Sequence, residues 1–512
     1  MLSKVKTMSL EGLNGYLVEI QSDVSGGLPS FDIVGLPDMR VKEAKERVKT
    51  AIKNCEVEFP SRKILVNLAP ADKKKEGTFF DLPIAIGILI AIGEIHNLKN
   101  LDEICFLGEL SLDGKINKVN GILPMCIEAV NLGIKKVVIP KENCKEAQII
   151  KNLKIIPVEN LEDVIYYLNG VNNIEEIIGD NQFILENDNF GFIDFSEVKG
   201  QETAKRALEI AASGSHNCLL IGSPGSGKTM LSERLTTILP DLTFNEALEI
   251  TKIHSIAGEL DTQKGLITKR PFRRPHHTSS PVSIIGGGRI PKPGEISLAH
   301  YGVLFLDEIP EFKKSTLEVL RGPLEDREVT ISRITSTLTY PANFVLIASM
   351  NPCPCGYYGT DDNKCHCSEQ AISRYIGQIS GPLLDRIDLH IEVKPVEYKK
   401  ISSDEKCESS KTIRKRVNNA RKIQLQRYKY LNIYSNSELT PALMEKFCKL
   451  DTGSKELLKN AFEKLNLSGR AYGRILKVAR TIADLDNSEN IQKMHIAEAI
   501  QYRSLDRKYW KR

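Results

Sequence analysis

The chain has 512 residues, 27% charged and 41% hydrophobic, a balance that excludes intrinsic disorder and at about 150 residues per domain leaves room for roughly three domains. A net charge of +4 over that length excludes a uniformly basic surface, so any nucleic-acid-binding face has to be local. Eleven cysteines behind an N-terminus without the apolar core of a signal peptide fit a reducing cytoplasm, and the most apolar run, Leu82 to Ile95, is short of the ~20 residues a membrane span needs.

Residues 1–175 alternate strand and helix patterns. Strands are expected at Tyr16 to Ile20, Phe31 to Val34, Ile64 to Leu68 and Lys136 to Ile139, and helices at Arg40 to Asn54 and Leu82 to Ile95. Two stretches, KKEGTFFDLPIAIGIL (Lys74 to Leu89) and GELSLDGKINKVNGILPMCIEAVNLGIKKVVIPKEN (Gly108 to Asn143), resemble the Lon-protease-type domain. That resemblance implies an α/β fold of the ribosomal S5 type. It also puts the nucleophilic serine position on Phe79 and the dyad lysine position on Leu123, side chains that can neither attack nor accept a proton. The domain is therefore expected to be proteolytically inactive. Thr78 and Lys75 are the neighbours that could stand in, although a one-residue shift turns a strand side chain to the opposite face. Lys73, Lys74 and Lys75 read as an exposed basic patch. The polar, acidic stretch 176–194 reads as a linker.

The chain is organised around CLLIGSPGSGKT, Cys218 to Thr229. A short apolar strand breaks into Gly222, Ser223, Pro224, Gly225, Ser226, Gly227, Lys228 and Thr229, a loop of the form G-x-x-x-x-G-K-[ST] with a helix behind it. Glycines let backbone N–H groups curl around phosphate oxygens, and the helix aims its positive end at them. Lys228 would bind the β- and γ-phosphates of ATP, and the Thr229 hydroxyl would hold Mg²⁺. Farther on, GVLFLDEI (Gly302 to Ile309) is an apolar strand that delivers two carboxylates to its carboxyl end, where open α/β sheets keep their sites. Asp307 would bind Mg²⁺ and Glu308 would polarise the attacking water.

Further segments carry resemblances. Val198 to Gln201 looks like the adenine-side segment of AAA+ ATPases, and the strand Phe344 to Met350 ends on Asn351, the place of the residue that senses the γ-phosphate. GPLLDRIDLH (Gly381 to His390) resembles the arginine-finger segment of the magnesium-chelatase and MCM-helicase branch and points to Arg386. SGRAYGRILKVARTIADL (Ser468 to Leu485) resembles the second sensor and points to Arg470, with Arg474 one helical turn on competing for the role. The order of these motifs, with KRPFRRPHHTSSPVSIIGGGRIPKPGEISLAH (Lys269 to His300) before the acidic strand, resembles the YifB/ComM family of magnesium-chelatase-like AAA+ ATPases over nearly the whole chain. The resemblance implies an AAA+ parallel sheet with helices on both faces over 195–400 with an insert at 255–300, and a helical lid over 401–512. It further implies a cytoplasmic homo-oligomer, a hexameric ATP-driven motor on single-stranded or branched DNA, whose role is branch migration during natural transformation. A chelatase-type or protein-remodelling ATPase is the alternative, although the chain lacks both a D-x-S-x-S metal motif and an aromatic-apolar-Gly pore loop between Met230 and Tyr301.

Three basic features are candidates for DNA contact. They are Lys269, Arg270, Arg273, Arg274, His276 and His277 in the insert, the hairpin pattern Val329 to Tyr340 with Arg333 near its turn, and the helix Lys411 to Lys429. For that helix a solvated charged face is the competing reading. Cys353, Cys355, Cys365 and Cys367, spaced C-x-C-x9-C-x-C, could close a tetrahedral Zn²⁺ site, with His366 able to replace one thiol. Reduced cysteines bracing a loop would read the same way.

Overall fold

Small polar residues hide the first strand. Leu2–Glu11 turns Ser3, Thr7 and Ser9 inward beside Val5 and Met8, so the alternation expected of a half-buried strand is blurred. The computed structural model describes residues 2–171, 173–180, 193–288, 291–332, 337–359, 364–398, 402, 407–431, 433–465 and 467–510. The chain divides into two units, 1–185 with 244–268, and 186–243 with 269–512. Most of the expected linker, and Arg333, lie outside the described residues.

The first unit is built on an eight-stranded mixed sheet. Its order is Ile177–Ile178, Lys154–Val158, Lys136–Pro140, Ile104–Phe106, Leu2–Glu11, Asn14–Ser25, Lys63–Ala69, Ser30–Val34. The expected helices appear as Met39–Asn54 and Asp81–Ile92. The second stops short of Ile95 because Gly93 takes a left-handed φ of 91°. It is apolar on every side and almost wholly buried, and it lies close enough to the sheet for Ser3 Oγ to donate to Gly87 O at 2.6 Å. A Cβ on Gly87 would stand 2.5 Å from Ser22 Oγ, so only glycine permits this approach.

Phe79 and Leu123, at the positions of the resembled protease pair, are core residues. The stand-in pair does not assemble. Lys75 is fully buried with its ammonium donating to the carbonyls of Pro70 and Lys73, while the Thr78 hydroxyl donates to Glu109. The expected basic patch is corrected accordingly: Lys73 pairs with Glu11, Lys74 with Glu76, and Lys75 is interior.

Residues 244–268, which the sequence reading placed partly in the ATPase core and partly in its insert, belong to this first unit. Helix Phe244–Ala257 is tied to it through buried Glu146. That carboxylate accepts from Ser255 Oγ, from Leu123 N at 2.9 Å and from Asn143 Nδ2 at 3.1 Å, and burial pushes its pKa up.

The second unit holds a five-stranded, wholly parallel sheet in the order Phe272–Arg273, Val303–Leu306, Val345–Met350, Cys218–Ile221, Leu389–Glu392. Helix Glu202–Gly214 leads into the phosphate-loop strand, and Lys228–Arg234 follows the loop. The helical C-terminal part comprises Ser410–Arg427, Thr452–Leu465, Gly469–Leu485 and Lys493–Gln501. Its first helix packs Ile413, Val417 and Ala420 into the core, and Gln424 donates to Ser213 O at 3.1 Å. Among the described residues no helix is long and apolar enough to cross a membrane.

Candidate active site

Because the strands are parallel, Ile221, Leu306 and Met350 all end on one side of the sheet, and the residues that follow them meet there. Gly222 is forced by packing, since a Cβ would lie 2.3 Å from Val393 O. Gly225 and Gly227 carry φ values of 74° and 88°, which lets the loop double back over the start of the helix. The Lys228 ammonium donates to Gly222 O at 2.8 Å, Ser223 O at 2.9 Å and Asn351 Oδ1 at 3.1 Å. Burial pulls its pKa down, against Asp307 and Glu308, which raise it. Gln201 reaches the loop from the adenine-side segment and donates to Ser226 O at 3.3 Å.

Thr229 Oγ1 donates to Asp307 Oδ2 at 3.2 Å, so the two expected magnesium ligands are already side by side. Ser349 Oγ donates to the other oxygen of Asp307 and accepts from Glu308 N at 3.2 Å. Glu308 is exposed and non-glycine, yet has φ 52°, a strained conformation of the kind found at active sites. The loop fits a triphosphate on its own chemistry. Ser226 Oγ is a buried hydroxyl without a partner, and the lysine, the backbone cradle and the Thr229–Asp307 pair match the donors and ligands that a magnesium-bound nucleotide requires.

Sequence reasoning missed Ser349, whose position carries no motif, and saw Arg274 only as one of the insert's candidate DNA-contacting charges. The Arg274 guanidinium donates to Asp307 Oδ2 at 2.6 Å, lies 3.7 Å from Glu233 Oε1 and stands 5.4 Å from the centre of the Phe305 ring. Arg273 pairs with Glu295, and Arg270 donates to the carbonyls of Pro240, Tyr301 and Asp241. The expected DNA-facing arginines of the insert are thus engaged within the chain. In the basic helix, Arg414 pairs with Asp241, Arg416 with Glu209 and Glu408, and Arg427 with Asp484, while Arg421 donates to Ser215 Oγ at 2.8 Å. Only lysines 411, 415, 422 and 429 of the expected basic residues there remain exposed.

Arg386 and Arg470 are elsewhere. A cavity of about 480 Å³ lies at the amino-terminal ends of the strands, bordered by Asn217, Phe344 and Asp388, each just ahead of a strand. Arg470 and Arg474 line it, as does Glu325, which pairs with buried Arg386 at 2.7 Å. Arg474 is bound to Asp388, a buried carboxylate that also accepts from Asn217 N at 3.0 Å. Arg470 is exposed. The hairpin is present as Glu328–Ser332 paired antiparallel with Thr337–Pro341.

Directly after Asn351 the four cysteines converge. Cys353 Sγ is 3.3 Å from Cys355 Sγ and 3.7 Å from Cys365 Sγ, Cys355 and Cys365 are 3.6 Å apart, and all four thiols including Cys367 lie within 4.8 Å of one another. His366 is exposed and outside this group.

Comparison with known proteins agrees with this geometry. Residues 194–401 match the family described as "Magnesium chelatase, subunit ChlI", 20–143 match "Subunit ChlI of Mg-chelatase", and 407–503 match "Magnesium chelatase, subunit ChlI C-terminal". The competence protein ComM of Haemophilus influenzae is 43% identical over 511 residues, covering 99% of this chain and 98% of its own. YifB of Escherichia coli is 44% identical over 510 residues with the same coverage. An archaeal Lon protease of Pyrococcus abyssi is 31% identical over 129 residues, 24% of this chain and 13% of its own. Similarity of that extent to ComM and YifB, together with a phosphate loop and an acidic strand meeting on one side of a parallel sheet, makes this chain a member of the ComM/YifB family of magnesium-chelatase-like AAA+ ATPases.

Proposed function

We propose that the protein hydrolyses ATP as a hexameric ring and uses the energy to move DNA branches during recombination. The observation that carries this reading is the separation of the catalytic groups. Lys228, Thr229, Asp307, Glu308 and Asn351 belong to the carboxyl ends of the strands, whereas Arg386 and Arg470 belong with the cavity at the amino ends. Each chain would lend these arginines to the nucleotide of a neighbouring copy, so one copy alone is an incomplete enzyme. Thr229 and Asp307 would hold Mg²⁺, which would neutralise charge on the phosphates, and zinc is the ion proposed for the four cysteines. Glu308 takes the proton of the attacking water, and Arg386 stabilises the charge that develops on the transferred phosphoryl group.

The name of the Haemophilus relative, a competence protein, supports the role in natural transformation, and DNA as the substrate is proposed with it. With the insert arginines engaged internally, the contact is proposed for the hairpin Glu328–Ser332 with Thr337–Pro341. The family descriptions favour a second reading, a chelatase-type ATPase driving a protein partner.

The test is ATP turnover with single-stranded DNA, with a porphyrin and with unfolded protein. Stimulation by DNA alone is expected. Arg386→Ala should keep nucleotide binding and lose about 10³-fold in turnover, and mixing it with Lys228→Ala should restore part of the activity at mixed interfaces. Mixed rings without rescue would show that Arg386 acts within its own chain or not at all.

A further inference from the structure

The sulfur spacing in the cysteine cluster discriminates between a disulfide and a metal. A disulfide holds its sulfurs about 2.05 Å apart. A tetrahedral zinc with bonds of about 2.3 Å has ligand sulfurs about 3.8 Å apart along every edge. The separations of 3.3, 3.6 and 3.7 Å fall near the second value, and the fourth thiol stays within 4.8 Å of the others. Four thiolates without a histidine or carboxylate select a soft, tetrahedral ion. Cys353 is fully buried and Cys355 exposed, so the cluster runs from the protein interior to its surface.

The loop also lies against the nucleotide site. Gly356, with φ 86°, is seated on the phosphate loop so closely that a Cβ would come within 2.5 Å of Pro224 Cδ, and Asn351 Cγ is 3.8 Å from the same point. Asn351 in turn accepts from Lys228. The turn that presses on Pro224 therefore begins and is fixed at Cys353 and Cys355, with Gly356 N donating to Cys353 O at 2.9 Å.

We infer that Cys353, Cys355, Cys365 and Cys367 bind one zinc ion, and that this ion clamps the outer side of the phosphate loop, holding Pro224 and Asn351 in register for ATP. The second half of this inference rests on the ATPase reading; the first does not.

Metal analysis of full-length protein purified in reducing buffer without chelators should find about one zinc per chain, falling several-fold in Cys355→Ser/Cys365→Ser. Exchange with Co²⁺ should give the intense visible bands of a tetrahedral tetrathiolate site. Lys228→Ala should keep its zinc. Removing zinc with a chelator should weaken binding of a fluorescent ATP analogue about tenfold, and zinc should restore it. Much less than one metal ion per chain without a cobalt spectrum, or a mass showing hydrogens lost to disulfides, would overturn the site. Iron at full stoichiometry would overturn the choice of ion. Full zinc with ATP affinity unchanged on its removal would overturn the clamp. An intact zinc-loaded chain that binds no ATP would overturn the nucleotide reading and the clamp together, and leave the metal count standing.

Discussion

Arg274 reaches Asp307 from the short edge strand Phe272–Arg273, which contributes nothing to the phosphate loop. It shares Asp307 Oδ2 with Thr229, the two groups that would flank magnesium. A guanidinium there competes with the metal for the same oxygen and repels it through space. Arg274→Ala is therefore expected to lower the Mg²⁺ concentration needed for half-maximal nucleotide binding several-fold, as read by Mg²⁺ titration of a fluorescent ATP analogue. An unchanged or raised midpoint would mean that the arginine helps to place the metal. The sequence showed Arg274 only as one charge in a basic run, because charge alone does not say which acid lies opposite. The phosphate loop was legible for the contrary reason: its backbone curl needs glycine and lysine at fixed spacings, and those needs are written in order along the chain.

At the scale of elements, strands with apolar alternation were legible and Leu2–Glu11 was not, since three of its inward residues are serine or threonine. Helix 244–257 was the larger surprise. Its allegiance to the first unit comes from partners far back in the chain, Glu146, which accepts from Ser255 Oγ, and Gly121, whose N–H donates to Ser255 O at 3.1 Å, and no local pattern records those contacts. Glu146→Ala would leave Leu123 N, Asn143 and Ser255 without their shared acceptor, in a place where burial makes such donors costly. The first unit should lose about 3 kcal/mol of stability, measured by urea denaturation. The helix Ser410–Arg427 teaches the reverse lesson. Its composition suggested either a DNA-binding or a solvated face; the structure ties three of its arginines to Asp241, Glu209, Glu408 and Asp484 and leaves its lysines exposed.

The whole second unit has two chemically different edges, and the sequence could name the residues of each without saying that they were separate. That division follows from sheet order, which motif spacing does not encode. The cavity edge carries a titration of its own. Burial pushes the Lys477 ammonium down to about 8, whereas the unfolded chain would have an ordinary lysine near 10.4. Between about pH 8 and 10 the unfolded chain thus binds more protons, and stability should rise with pH by at most about 1.4 kcal/mol per unit. Below that window the contribution is a constant cost. Lys477→Met should flatten this limb in denaturation curves taken across the range; a limb that persists would assign it to another group. The return of residues 244–268 to the first unit has a consequence for heredity. A gene fragment ending near codon 180 would encode that unit without one of its own helices, and one beginning at codon 186 would encode the second unit carrying a helix bereft of its partner. No single recombination breakpoint leaves both units intact at once, because each is interrupted or overrun by a segment of the other.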